Sequence, residues 1–327
     1  MANAPIVTIF GGSGFVGRYI ARRMARAGWR VRVAVRRPNQ AIFVRTYGTV
    51  GQVEPVLANI RDDASVAAAL SGAAAAVNCV GILAPRGAQS FAAIQDEGAG
   101  RVARLAAAAG VARFVHVSAI GADADSASVY AQTKAAGEAA VRAHQPDAVI
   151  LRPSIVFGPE DEFFNRFAAM TRISPVVPVI GPDTKFQPVY VDDVAAAAEK
   201  ALTERVAAGV YELGGPVVES FRALMERMLG VLNRRRAVLA VPMPIAKLQG
   251  WAFSTLSRLS AGLLPAPVTY DQVLLLARDN VVAADAKGFA DLGIEPTAME
   301  AVLPEYLTPF RPYGQYDRIT KSAKNLR

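Results

Sequence analysis

The chain has 327 residues, 52% of them hydrophobic, 20% charged and 8% aromatic, too apolar for a disordered chain. One cysteine (Cys79) excludes an intramolecular disulfide and a cysteine-based structural zinc, and two histidines (His116, His144) are too few for a His-rich metal site. The 36 basic residues, 29 of them arginine, against 28 acidic ones give a net charge of +8, which suits phosphorylated ligands or an anionic membrane surface. No basic run with interleaved aromatics tracks single strands, so nucleic acid is not an expected partner.

The N-terminus enters an apolar strand at once, with no charged n-region and apolar h-region, so no secretory signal is expected. The apolar stretches are interrupted before a span of roughly 20 residues, so a soluble or peripheral protein in a reducing compartment is expected. Ile6–Phe10 reads as the first strand, Phe15–Ala27 as a helix stopped by Gly28, and Arg30–Val35 as the second strand. Val53–Leu57 reads as a third strand, and Asp62 and Asp63 cap a helix to about Leu70. Ala75–Val80 is a fourth strand, Phe91–Ala109 an Ala-rich helix and Phe114–Ser118 a fifth strand. Ser126–Ala143 is a helix and Ala148–Leu151 a sixth strand. Repeated β-α units of this length predict an α/β fold: a Rossmann-type doubly wound parallel sheet over residues 1–155. After Pro153 the pattern loosens. A smaller C-terminal α/β region is expected over 156–310, with some segments returning to the sheet, and a basic tail over 311–327.

Gly11-Gly12-Ser13-Gly14-Phe15-Val16-Gly17 lies between the first strand and the first helix. A pyrophosphate there gains close backbone approach and the free N–H groups of the helix start. At the end of the second strand, a carboxylate would bind the ribose of NAD. Arg36 and Arg37 stand there instead, two planar guanidiniums suited to a 2′-phosphate, which predicts NADP(H). The alternative is that they open a solvated loop. Tyr130 and Lys134, at i and i+4, share a helix face, and Ser118 ends the fifth strand at the rim where such sheets bind ligands. A neighbouring ammonium and an oxidised nicotinamide are expected to stabilise the Tyr130 phenolate, so that Tyr130 exchanges a proton with a substrate oxygen held by Ser118.

The glycine turn, Asn78-Cys79-Val80-Gly81, Ser118 and Tyr130/Lys134 resemble the short-chain dehydrogenase/reductase superfamily. The stretch Leu151–Asp161 with Phe163–Phe167, and the stretch Gln187–Ala195, narrow the match. They resemble the atypical branch that contains the nucleotide-binding accessory subunit of respiratory complex I, the NADH:ubiquinone oxidoreductase. The resemblance spans roughly residues 5–310. It implies NADPH held tightly in a structural role, with complex I core subunits as partners. It also implies a peripheral position on the cytoplasmic face of a bacterial inner membrane, or the matrix side of a mitochondrial one. By the family pattern Asn59 and Ile60 flank the adenine, although many relatives carry Asp at the first position. Cys79, Val80, Gly81 and Pro153 join Ser118, Tyr130 and Lys134 around the rest of the cofactor. The intact Ser/Tyr/Lys set keeps an active NADP-dependent reductase or epimerase on a sugar-nucleotide or quinone-pathway substrate as an alternative. A third reading is an NADPH-sensing regulatory protein.

Between Pro242 and Pro265, apolar residues at 245, 248, 252, 256, 259 and 263 form one helical stripe, flanked by Trp251 and Phe253. Such a helix either packs on the core of its own domain or lies against a membrane interface or hydrophobic partner. The tail, with Arg318, Lys321, Lys324 and Arg327, suits an acidic partner or anionic lipid.

Overall fold

Period-two alternation along short apolar runs sets the architecture. The structure, a computed structural model, describes residues 4–85, 87–259 and 267–316. The first half runs β1 (Ile6–Phe10), α1 (Phe15–Arg26), β2 (Arg30–Val35), β3 (Val53–Leu57), α2 (Asp63–Leu70) and β4 (Ala75–Asn78). It continues with α3 (Glu97–Ala108), β5 (Arg113–Val117), α4 (Val129–His144) and β6 (Val149–Pro153). Then come β7 (Val156–Phe157), α5 (Phe164–Met170), β8 (Val176–Ile180), β9 (Lys185–Phe186), β10 (Val189–Tyr190) and α6 (Val191–Thr203). The chain goes on through β11 (Gly209–Leu213), β12 (Glu219–Ser220), α7 (Phe221–Leu232) and β13 (Ala237–Val241). It closes with α8 (Met243–Leu259), α9 (Tyr270–Leu275) and α10 (Met299–Leu307).

Seven parallel strands form the main sheet in the order β11-β6-β5-β4-β1-β2-β3. Successive residues of β1 point to opposite faces. Ile9 packs with Ile20 and Met24 of α1 and Val194 and Ala198 of α6. Phe10 packs with Val66 and Leu70 of α2 and Val102 and Ala106 of α3. Helices thus cover both faces, as an all-parallel sheet requires. A third core joins Phe157, Phe164, Phe221, Leu224, Met228 and Leu303.

Several elements depart from the sequence expectation, and three of the departures have a visible local form. β4 stops at Asn78 because the Asn78 side-chain oxygen accepts the Val80 N–H (3.1 Å) and turns the chain. The helix expected over 91–109 opens with a π-helical turn at Ala92–Asp96 before α3 begins. That turn presents the Gln95 carbonyl to Gly137 of α4, where any Cβ would overlap it. Residues Pro38–Tyr47, unassigned from sequence, form a run of 3-10 turns.

The alternative left open for α8 is decided over its described side chains. Its stripe does not pack on the core of its own domain. Ile245, Leu248 (66% exposed), Trp251 (60%), Phe253 and Leu256 face outward. The buried positions are small, Ala246 and Gly250. A Cβ on Gly250 would lie 3.0 Å from the Tyr270 Cα, so the glycine lets α9 approach closely. The Leu259 side chain, Leu263 and the tail residues Arg318, Lys321, Lys324 and Arg327 lie outside the described residues. Among the described residues no helix is long and apolar enough to cross a membrane.

One buried charge cluster joins the sheet to α4. Arg152 of β6 forks onto Glu138 with two bonds of 2.8 Å and reaches Glu212 of β11 at 3.4 Å. Glu138 is fully buried. Removing one partner strands a charge in the interior, a cost of about 3–5 kcal/mol. Glu138→Ala is expected to lower the unfolding free energy by about 3 kcal/mol, measured by urea denaturation. A change under about 1 kcal/mol would refute this account.

Candidate nucleotide site

The site forms where the strand order reverses, between β1 and β4. Gly11 leaves β1 with φ of +76°, and its N–H donates to the Ala34 carbonyl of β2 (3.0 Å). A Cβ on Gly17 would overlap the Gly11 carbonyl oxygen, so α1 rests directly on the turn. No side chain caps α1 and no acid lies in its first turn. Its first N–H groups therefore face an open end with positive potential. Ser13 is half-buried, Gly14 is the N-cap residue, and Phe15 and Val16 pack against the first core.

Arg36 and Arg37 follow β2 and are exposed, and neither guanidinium has a hydrogen bond or ion pair among the described residues. Asn59 follows β3, where its side-chain oxygen accepts the Arg61 N–H (3.2 Å). The Ile60 side chain is buried in the second core against Gly98, which leaves mainly its backbone for a ligand. Cys79 continues the register of β4, its N–H donating to the Phe10 carbonyl (2.9 Å), and Val80 lies against Gly11. Pro153 is buried at the end of β6, with its carbonyl accepting the Ile120 N–H (3.0 Å).

Lys134 of α4 is buried and donates to the Val117 carbonyl at the end of β5 (3.2 Å). Its Nζ lies 5.9 Å from the Tyr130 ring centroid and beside Gly81. The Tyr130 ring meets Phe91 edge-on at 5.8 Å. Ser118 is buried, and its hydroxyl has no partner among the described residues. The His116 Nε2 is orphaned likewise, while its Nδ1 faces the Asn78 amide at 3.3 Å. A buried hydroxyl without a partner costs about 1–3 kcal/mol, which a ligand oxygen would recover. The open turn, the free arginines and this hydroxyl together fit a phosphorylated dinucleotide.

The protein's own groups act on Tyr130 in the direction opposite to that expected of a bound oxidised nicotinamide: the phenol is pushed up to about 12, first by burial and then by the Asp271 carboxylate. Burial pulls Lys134 down to about 8, opposed by Glu138 and Cys79. Burial also raises the Cys79 thiol to about 12 and lowers His116 to about 3.

Asp271 was not singled out from sequence. It reaches from α9 to the start of α4, accepting the Ser128 hydroxyl (2.8 Å) and the N–H groups of Val129 (2.7 Å) and Tyr130 (3.3 Å). The local signal was present: Thr269 and Gln272 close a capping box around it. Its partner, some 140 residues away, was not legible. Arg18 and Glu160 were also missed. Arg18 donates to the Ser13 carbonyl and Glu160 (both 3.1 Å), bridging the glycine turn to the loop after β7.

With a parallel doubly wound sheet and a glycine turn at its switch point, the fold is of the Rossmann, dinucleotide-binding class. The NAD dependent epimerase/dehydratase family matches residues 7–214, and the chain belongs to it. The chain is 32% identical over 98% of its length to NADH dehydrogenase (ubiquinone) 1 alpha subcomplex subunit 9, mitochondrial, of Arabidopsis thaliana, covering 81% of that protein. It is 38% identical over 58% of its length to the ceramide reductase of Caulobacter vibrioides, covering 59% of that protein. It shares the fold of a dTDP-glucose 4,6-dehydratase from Streptomyces venezuelae solved with NAD. There the TM-score is 0.70 at 20% identity, with 92% and 95% of the two chains covered.

Two outcomes test the electrostatics. Asp271→Ala removes three bonds at the start of α4 and is expected to cost about 1–2 kcal/mol of stability. Asp271→Asn lowers the Tyr130 pKa from about 12, read as tyrosinate absorbance against a Tyr130→Phe reference. An unchanged titration would dismiss Asp271 as the cause. Lys134 carries a depressed pKa, so below about 8 its charged form is penalised in the fold. The unfolded chain binds more protons between about 8 and 10.5, and stability rises with pH across that window. Denaturation of wild type and Lys134→Met over that range should show the rise only in wild type.

Proposed function

We propose that the chain is an accessory subunit of a respiratory NADH:ubiquinone oxidoreductase that holds NADP(H) in a structural role. The carrying observation is its 32% identity, across nearly its whole length, to the mitochondrial complex I relative. In this reading the glycine turn and the α1 N-terminus bind the pyrophosphate, while Arg36 and Arg37 take the 2′-phosphate. Asn59 and the Ile60 backbone flank the adenine. Cys79, Val80, Gly81 and Pro153 line the nicotinamide side, and Lys134 holds the nicotinamide ribose. A tight ligand stabilises the fold by mass action without reacting. The outward apolar face of α8 supports a peripheral position against the membrane or core subunits, on the cytoplasmic face of a bacterial inner membrane or its mitochondrial equivalent.

The intact Ser118, Tyr130 and Lys134, with the likeness to a reductase, favour a second reading. When bound, a reduced nicotinamide supplies hydride to a carbonyl. The neutral Tyr130 phenol would donate the proton, Ser118 would hold the carbonyl oxygen, and Lys134 would orient the ribose.

The protein purified from membranes in mild detergent is expected to co-elute with complex I core subunits and to carry stoichiometric NADPH. A free soluble monomer with exchangeable nucleotide overturns the subunit reading. Turnover lost in Tyr130→Phe with binding retained establishes the second. Arg36→Ala with Arg37→Ala should weaken NADPH at least about tenfold while leaving NADH within about twofold. Equal losses for both nucleotides refute the assignment to the 2′-phosphate.

A further inference from the structure

Outside the nucleotide site, some of the described arginines are paired with acids and others are not. Arg18, Arg23, Arg101, Arg152 and Arg227 each meet a carboxylate. Arg172, Arg234, Arg235 and Arg236 meet none among the described residues, although they lie together. The sequence folds them into one place by two devices. Asn233 ends α7 in the left-handed conformation (φ +53°), which turns the chain ahead of Arg234, Arg235 and Arg236. β13 then pairs in parallel with β8, Ala237 opposite Val176, and the Ala237 N–H donates to the Pro175 carbonyl (3.1 Å). That register brings the loop carrying Arg172 to the same end of the ribbon.

Two of the guanidiniums are fixed by backbone bonds. Arg236 Nε donates to the Thr171 carbonyl (3.0 Å), and Arg234 Nε donates to the Phe310 carbonyl (2.8 Å). Each keeps donors at its forked end, and Arg172 and Arg235 are exposed. The three consecutive arginines line a cleft of about 820 Å³ with Glu226, Leu229 and Ala237. Glu226 is the one carboxylate lining it, against the guanidiniums of Arg234, Arg235 and Arg236. Burial first, and then the proximity of Arg236 and Arg172, lower the Arg234 pKa. The fixed pair cannot move apart, so an anion is what relieves the repulsion.

We propose that Arg172, Arg234, Arg235 and Arg236 form an anion site, separate from the nucleotide site, that binds a phosphoryl group. Arginine forks match the paired oxygens of a phosphate, and two pre-positioned guanidiniums lose little freedom on binding. The phosphoryl group comes either from the headgroup of an anionic phospholipid or from a soluble phosphate compound. The site rests on α7, β13 and the loop before β8, so it stands whether or not the nucleotide reading holds.

The test uses the full chain with inorganic pyrophosphate and with vesicles of phosphatidylcholine containing or lacking phosphatidylglycerol. The variant is Arg172→Gln with Arg235→Gln, which leaves the backbone bonds of Arg234 and Arg236 in place. An unchanged melting temperature without ligand checks its fold, and Arg172→Lys with Arg235→Lys serves as the charge-retaining control. A lipid source predicts that wild type binds the phosphatidylglycerol vesicles more tightly than the variant by about fivefold for each arginine removed. The lysine control then recovers part of that loss. A soluble source predicts that pyrophosphate raises the melting temperature of wild type more than that of the variant, with vesicle binding equal in both. Because the glycine turn also binds phosphates, only the difference between wild type and variant counts. If pyrophosphate and phosphatidylglycerol each act equally on wild type and variant, the site does not exist.

Discussion

Between β1 and β4 the chain changes the direction in which it adds strands. The loops leaving these neighbours therefore go to opposite faces and part, opening a crevice at the carboxyl ends of the sheet. The nucleotide-site features depend on that parting. It can be used only because the helix after β1 sits against its own turn, which Gly17 permits and any Cβ would prevent. The same geometry carries the end of β4 past Gly11, so that Cys79 and Val80 line the crevice from the other side.

Charge is arranged around the crevice so that little of it is mobile. Glu138 and Arg152 neutralise each other inside α4 and β6, and Lys134 is drawn toward neutrality by burial. Tyr130 is kept protonated by burial and Asp271. Such a site holds a proton on the phenol and does not take one up, which serves a structural clamp and a proton-donating reductase alike. Arginines without a carboxylate partner among the described residues stand elsewhere, and those at the end of β2 and beside α7 are among them.

The α8–α9 pair links surface to site. Small residues on α8 let α9 pack close, and the large apolar ones are left outward. Asp271 of α9 in turn caps the helix that bears Tyr130 and Lys134. The outward apolar face of α8 is thereby connected, through one carboxylate, to the helix that bears Tyr130 and Lys134.

Short-range order was written plainly in the sequence. The strands at 6–10, 30–35 and 53–57, the Asp62 cap and the glycine turn followed from periodicity and from residue types with few conformational options. Arg36 and Arg37 were found because the end of the second strand has a fixed relation to the turn. What the sequence left open depends on pairs far apart in the chain. The stripe on α8 has the same period whether it faces a core or the outside, and the choice fell to Ala246 and Gly250, whose lack of bulk lets α9 in. The raised pKa of Tyr130 comes from burial and then Asp271, and the arginine cluster required the register of β13 on β8. Local propensity decides elements and turns. Burial, counter-charges and which face is covered are set only when segments distant in sequence come together.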